Sequence, residues 1–572
     1  MSKWLDDALF YEIYPQSFCD SNGDGIGDIN GIISKLDYIQ SLGCNAIWMN
    51  PCYDSPFIDA GYDVRDYFKV APRYGTNDDA ERLCSEVHRR GMHILLDLVP
   101  GHTSDQCRWF RESQRDEKNE YTDRYIWTDT VWENVGNIVN VMGMTRGGTE
   151  RNGAYLTNFF NAQPALNYGF ANPDPERPWQ QPPDAEGPRS TVEAMKDVMR
   201  FWLSLGCDGF RVDMAGSLIK ADPDQSANIR VWQEFRDFLD KEFPDAVMVS
   251  EWGEPDKSLL AGFHMDFLLH FGPSHYMDLF RTETPYFSRE GKGDLTKFFD
   301  LYRENMENTR YRHPEADVLP EIPDGGMMCI PSGNHDMVRI ARFLDPEEMK
   351  IAYAFIMTMP GVPFIYYGDE IGMKYVEGLT SVEGGYERTG SRSPMAFDDT
   401  KNAGFSAAPE EMLYIKQDAS KAYINVMTEE NDPDSLLNEV RRLTKIRREH
   451  PALHNRSDFR LLAIGNSTVK NGQAVTDSVS SSNTISTASH YPLAYIRSCS
   501  SETILAIFNP SSHDAPLPFE LPDGYEVICT VGKIRNNDIF KNDPADNKKD
   551  ALRIFPAESA ILLLLDPDTD LK

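Results

Sequence analysis

Apolar residues recur along this chain in two alternating rhythms. LFYEIYP (9–15), CNAIWMNP (44–51) and MHILLDLVP (92–100) are short runs that would be apolar on both faces of a strand. Between them, residues 30–41 place Ile32, Ile33, Leu36 and Ile39 at helical spacing. Residues 78–91 read as a helix closed by Gly91, since a left-handed cap favours glycine. Doubly apolar strands alternating with helices predict a parallel sheet covered by helices. The rhythm returns with the helix STVEAMKDVMRFWLSLG, the strand CDGFRVD, the helix VWQEFRDFLDKEF and the strand AVMVSE. MMCIPSGNHD, a helix over 346–358 and PFIYYGDE follow. These units suffice for an α/β fold of the (β/α)8 TIM-barrel type, whose active site gathers at the C-terminal strand ends.

Two kinds of segment break the pattern. Residues 103–175 are polar and rich in Asn, Gly and aromatics, and read as an inserted subdomain after the third strand. Residues 312–328 and 466–490 read as loops. A helix over 434–450 closes the barrel, and from 458 short strands such as LAYIRS and TILAIFN predict an all-β domain. The expected organisation is barrel (1–102), subdomain (103–175), barrel (176–457) and a C-terminal β-sandwich (458–572).

Composition narrows the partners. The 572 residues carry a net charge of −33, which opposes a nucleic-acid or anionic-membrane partner and suits a neutral substrate. No run of 18 apolar residues occurs, and the N-terminus lacks the apolar core of a signal peptide. The nine cysteines form no C-x-x-C pair, and Cys44 and Cys207 fall inside apparent strands. They are expected to be reduced and buried in a cytoplasmic protein.

Candidate chemistry sits at strand ends. Asp213, Glu251 and Asp336 each follow a β-rich run, accompanied by Arg211 and His335. Cleaving a glycosidic bond needs one carboxylate to attack, one carboxylic acid to protonate the leaving oxygen, and negative charge around a cationic transition state. Arg211 lies two residues before Asp213, on the same strand face, where it would hold that acid ionised. A less polar setting, helped by Trp252, would keep Glu251 protonated.

Nine segments in order carry a family resemblance: FYEIYPQSFCDSNGDGIGDINGI, DAGYDVRDY, DLVPGHTSD, QPALNY, GFRVD, SEW, GNHD, GVPFIYYGDEIGM and RSPM. Together they resemble the α-amylase superfamily, glycoside hydrolase family 13, and within it the oligo-1,6-glucosidase and α-glucosidase group. The resemblance implies a retaining exo-α-glucosidase acting on short oligosaccharides, with a transglucosidase or isomerase of the trehalose synthase or sucrose isomerase type as the alternative. It makes Asp213 the nucleophile, Glu251 the acid/base and Asp336 the carboxylate that grips sugar hydroxyls. His102 and His335 would bond the terminal glucose. Asp59 and Tyr62 would close the pocket behind it. Either Arg392 or Arg388 would pair with Asp59. Gln163 would lie near the scissile bond, and Phe159 or Phe160 would line the next subsite. Asp97 and Asn334 read as supports.

Asp20, Asn22, Asp24, Asp28 and the carbonyl of Ile26 alternate oxygens with glycines, like the start of an EF-hand loop, but Gly31 stands where that loop needs its glutamate. The resemblance implies one structural Ca2+ (or Mg2+) there, remote from the chemistry. The chain departs from the family at Gly101, Ala165, Met214 and the SEW context of Glu251, which leaves linkage preference open. Monomer and dimer both remain open.

Overall fold

The computed structural model describes residues 3–136, 138–269, 274–310, 326–465, 467–470, 473–475, 490–521, 524–534 and 554–566. Eight parallel strands close into a barrel. They are β1 (Phe10–Ile13), β2 (Ala46–Met49), β3 (His93–Leu98), β4 (Gly209–Val212), β5 (Val247–Ser250), β6 (Met265–Phe267), β7 (Met327–Pro331) and β8 (Val362–Tyr366). Each pairs with its sequence neighbour, and β8 returns to β1 with Phe10 opposite Phe364.

Strand parity then divides the barrel interior into two layers. Phe10, Trp48, Leu95, Val249, Phe267, Cys329 and Phe364 form an apolar cluster, with Phe10 stacked on Phe364 at 4.4 Å. Two residues further along their strands stand Glu12, Asn50, Asp97 and Glu251. Side chains two apart share a face. The apolar floor is thus continued upward by a polar layer at the C-terminal end.

The covering helices form where caps and apolar spacing agree. α1 (Ile29–Ser34) and α2 (Leu36–Ser41) lie between β1 and β2. A single helix is expected there, but Lys35 leaves helical geometry at φ −112°, ψ 7° and divides it. α3 (Asn77–Arg89) starts in a Thr76–Asp79 capping box. α4 (Glu186–Leu205) buries Val192, Met195, Met199 and Trp202 and stops at Gly206, at φ +114°. α5 (Ser226–Glu242), α6 (Pro255–Leu260) and α7 (Thr296–Arg310) follow. α8 (Pro346–Thr358) has an Asp345–Glu348 capping box, and α9 (Leu436–Glu449) packs beside it. The reading of the chain misses β6, whose three residues are too short for a periodic signal, and α7.

Between β3 and α4, the strands Gly143–Arg146 and Ala154–Thr157 pair as a ribbon. Ile126, Val135, Leu156, Ala165, Phe170 and Trp179 form a separate apolar core for this segment. The C-terminal sheet contains β9 (Asp458–Ile464), β10 (Ser467–Lys470), β11 (Gln473–Val475), β12 (Leu493–Ser498), β13 (Thr503–Asn509), β14 (Tyr525–Gly532) and β15 (Ser559–Leu565), in the order β11-β10-β9-β12-β13-β15-β14. Alternate residues of this sheet serve two cores. Leu505, Ile507 and Leu563 face its own cluster, while Tyr495, Phe508 and Leu562 join the main core, with Phe508 6.1 Å from Phe355 of α8. Burial on both faces explains the unbroken run ILLLL (561–565). The loop expected at 312–328 lies largely outside the described residues. The described parts of 466–490 include β10 and β11 rather than loop alone. No helix among the described residues is long and apolar enough to cross a membrane.

Gly209 is where the barrel closes most tightly. Its φ is +145°, and a Cβ there would stand 2.0 Å from the Val247 carbonyl oxygen of the next strand. Gly91 also has positive φ, +68°, but faces open space. Gly209→Ala is therefore expected to cost at least about 3 kcal/mol, combining backbone strain with overpacking, and Gly91→Ala only about 1 kcal/mol. Thermal unfolding of the two variants, compared under one condition, checks this; equal losses would refute it.

Candidate active site

A cavity of about 460 Å³ opens at the C-terminal end of the barrel, lined by Asp59, Tyr62, His102, Phe159, Asp213, Met214, Glu251, Trp252, Asp336 and Arg388, among others. The three carboxylates expected to carry the chemistry thus share one pocket, although 123 residues separate the first from the last (213 to 336).

Arg211 organises the centre. Its Nη1 lies 2.8 Å from Asp97 Oδ1 and 3.4 Å from Asp213 Oδ1, and its Nη2 lies 2.8 Å from Glu251 Oε2. Glu251 Oε2 also accepts the Met214 N–H at 3.0 Å. Met214 itself has φ +46°, a strained value for its residue type. Asp213 is pushed well above the usual carboxylate range, first by burial and then by the charge of Glu251; Arg211 pulls the other way. The expectation that Arg211 chiefly ionises Asp213 is corrected here. The guanidinium is closer to Glu251 and Asp97, because Asp97 on β3 and Glu251 after β5 come from the two strands that pair with β4 on either side of Arg211. Trp48 Nε1 and the Tyr62 hydroxyl donate to the other oxygen of Asp97, at 3.1 and 3.0 Å.

Asp336 is held differently. Its Oδ1 accepts from Arg388 Nη1 at 2.7 Å and Arg392 Nη2 at 2.8 Å, while Oδ2 lies 3.3 Å from His335 Nε2. Burial works against ionisation, but His335, Arg392 and Arg388 outweigh it and hold Asp336 far below the usual range. His335 is itself pushed well below its ordinary value by burial, so the standing positive charge beside Asp336 is that of the arginines. Asn334 Oδ1 accepts the Asp336 N–H at 2.9 Å.

Several expected sugar contacts sit behind the pocket wall instead. His335 is buried, with Nδ1 2.8 Å from Glu12 Oε1 and Nε2 2.8 Å from the Tyr62 hydroxyl. Both of its ring nitrogens are engaged by protein, and its ring lies 5.5 Å from that of Tyr62. Gln163 does not reach the pocket surface; it donates to Asp59 Oδ2 at 2.8 Å. Arg388 and Arg392 both bond Asp336, and it is Arg388 that also comes within 3.9 Å of Asp59. Of the two phenylalanines, Phe159 lines the cavity, with its ring 4.7 Å from Phe160. His102 Nδ1 lies 3.1 Å from Asn158 Nδ2, and burial lowers this histidine to about 3, so the ring is neutral. A Cβ on Gly101 beside it would stand 2.8 Å from Asn158 Nδ2 and would push that amide aside.

The Asp20–Asp28 segment folds around its own backbone. Asp20 accepts the N–H groups of Asn22, Gly23 and Gly25 at 2.7–3.0 Å. Asn22 and Asp24 accept the N–H groups of Asp24 and Ile26, both at 2.9 Å. Asp28 caps α1 through the Gly31 N–H and also takes Ser21. Among the described residues no group of three His, Cys, Asp or Glu side chains is placed to hold a metal ion. The side-chain oxygens expected to hold Ca2+ or Mg2+ also accept local N–H groups here, and a carboxylate keeps further lone pairs beside them.

Sequence reasoning missed Asn140, Gly216, Ser217, Gln225 and Glu254, which complete the wall beyond Glu251. It also missed Glu12, although an acid inside the buried run FYEI was a signal. Burial lifts Asp59 and Asp97 each to about 6. A raised carboxylate is ionised only above its shifted value. kcat/KM for a neutral α-glucoside is thus expected to fall as pH drops through about 6; a flat profile between pH 4.5 and 7.5 (roughly the span that brackets both groups) would contradict this.

Comparison with known proteins agrees with this geometry. Residues 12–456 match the alpha amylase catalytic domain. A trehalose synthase/amylase of Mycolicibacterium smegmatis is 32% identical, over 79% of this chain and 77% of that protein. An oligo-1,6-glucosidase of Heyndrickxia coagulans is 30% identical, over 79% of this chain and 86% of that protein. The crystal structure of the trehalulose synthase of Pseudomonas mesoacidophila superposes with a TM-score of 0.73 at 26% identity, covering 99% of this chain and all of that one. The barrel, its charged pocket and these matches lead to one conclusion: the chain belongs to the alpha-amylase family, glycoside hydrolase family 13.

Proposed function

We propose that this enzyme is a retaining transglucosidase or isomerase of α-linked glucosides, of the trehalose synthase type, with hydrolysis as its side reaction. The observation that carries the reading is the placement of Asp213, Glu251 and Asp336 on one pocket that Asp59, Tyr62 and Arg388 also line. By the family resemblance these last three close the end behind a terminal sugar, so in this reading the action is exo.

In this reading Asp213 Oδ attacks the anomeric carbon as Glu251 gives its proton to the departing glycosidic oxygen. The C–O bond breaks, and a covalent glucosyl ester forms on Asp213. The step requires Asp213 ionised and Glu251 carrying the proton, with Arg211 Nη1 3.4 Å from Asp213 Oδ1. Glu251, now a base, takes a proton from the incoming hydroxyl, which attacks from the face the leaving group left. Two inversions give net retention. Asp336, held ionised by two arginines, binds two sugar hydroxyls and stabilises the cationic transition state.

Transfer to a sugar is favoured over water by the likeness to proteins named as synthases of disaccharides, trehalose and trehalulose. Cytoplasmic location stays part of the proposal, supported by nine free cysteines, eight of them buried.

Incubation with maltose or sucrose is expected to yield chiefly an isomeric disaccharide. Glucose as the main product would return the enzyme to the exo-α-glucosidase reading, and initial β-glucose by NMR would refute retention. Asp213→Asn is expected to lower turnover at least about 10⁴-fold, about 5 kcal/mol of barrier, with an unchanged thermal midpoint; activity within tenfold of wild type would remove Asp213 as nucleophile.

A further inference from the structure

We propose that Asp266, which lies outside the cavity, is a positioning residue for the proton-transfer step: it anchors the backbone on both sides of Glu251 and so sets where that carboxyl stands. The role rests on the assignment of Glu251 as the proton donor.

Strand parity turns the two acids to opposite sides of the barrel wall. On β5, Val247 and Val249 belong to the apolar floor, so Ser250 faces outward and Glu251 enters the cavity. On β6, Met265 and Phe267 belong to the same floor, and Asp266 between them faces outward. Asp266 is the register partner of Ser250. It is fully buried and absent from the cavity lining.

One oxygen of this carboxyl collects four donors. Asp266 Oδ1 accepts from Ser250 Oγ at 2.8 Å, and from the N–H groups of Trp252, Gly253 and Phe267 at 3.2, 3.3 and 3.0 Å. Ser250 precedes Glu251 and Trp252 follows it, so a single anchor brackets the proton donor. The ladders from β5 to β4 and to β6 both end at Ser250. Beyond them, the Glu251 N–H still reaches the Val212 carbonyl at 2.9 Å, and the next two N–H groups have Asp266 in place of a strand. From the cavity side, Arg211 and the Met214 N–H hold the Glu251 carboxyl itself. Removing the Asp266 oxygen strips the acceptor from two successive N–H groups, and the turn must shift to find others. Burial lifts Asp266 to about 7 while its donors pull the other way. A carboxyl protonated on its second oxygen still presents Oδ1, so the anchoring needs the oxygen rather than the charge.

Asp266→Ala removes that acceptor, and Asp266→Asn keeps an oxygen in its place. A misplacement of about 1 Å costs about 100-fold, and a leaving group that departs readily as an anion is spared a lost general acid. Asp266→Ala is therefore expected to lower kcat/KM about 100-fold for maltose but less than about fivefold for 4-nitrophenyl α-glucoside. Asp266→Asn is expected to stay within about fivefold of wild type on both. In a Glu251→Gln background, Asp266→Ala should cost less than about threefold more on maltose, since no acid remains to be placed. Should Asp266→Ala fail to fold, Ser250→Ala removes one donor and should lower the maltose-to-aryl ratio about fivefold. Equal losses on the two substrates, an undiminished maltose rate, an unchanged ratio in Ser250→Ala or a full multiplicative loss in the double variant would overturn the proposal. Glu251→Gln alone tests the assignment beneath it. Without a selective loss on maltose there, Glu251 is not the proton donor and the role of Asp266 falls with it; with that loss there but not in Asp266→Ala, only the positioning role fails.

Discussion

One buried guanidinium holds the functional end of this barrel together. Arg211 reaches Asp97, Asp213 and Glu251 at once and is nearly excluded from solvent. Removing charges from water is costly, and an unpaired buried acid is costlier still. Without Arg211, three acids would face one another across a narrow interior. With it, they tolerate proximity, yet one proton too many or too few shifts the balance. That poise suits a reaction in which a carboxylate must alternate between attack and departure while its neighbour exchanges a proton.

The rest of the molecule makes such crowding affordable. Beneath the charged layer, Phe10, Trp48, Phe267 and Phe364 interlock as a dry floor that denies water a route from below. Glu12 and Asn50 on the first two strands meet His335, which in turn meets Tyr62 and Asp336. A single chain of contacts therefore runs from Glu12 and Asn50 to the pocket lining at Tyr62 and Asp336. Asp336 is the exception among the three acids. Two arginines, 388 and 392, hold it ionised, whereas Asp213 is pushed the other way by burial and the charge of Glu251.

The inserted segment after β3 and the C-terminal sheet act from opposite ends. The first brings Asn158 to His102 and Phe159 to the rim, so the pocket is only complete when that segment packs on the barrel. The second contributes half of its side chains to the main core against α8, remote from the pocket.

Much of this was legible in the chain. Apolar runs and caps marked seven of the eight barrel strands, and motifs such as GFRVD and GNHD marked the acids that meet in the cavity. Local signals suffice there because a strand is read from its own alternation and a cap from its own hydroxyl or carboxylate. Tertiary structure alone decided the partnerships. Whether Arg388 or Arg392 faces Asp59, where Gln163 finds its partner, and whether Arg211 leans toward Asp213 or Glu251 all depend on side chains from distant segments competing for the same acceptors. Gln225, Glu254 and Asn140 carry no motif at all; they reach the pocket because barrel closure brings three separate loops over one opening. Periodicity records which way a residue points along its own element, while a hydrogen bond between elements is set by distances that exist only after the chain has packed.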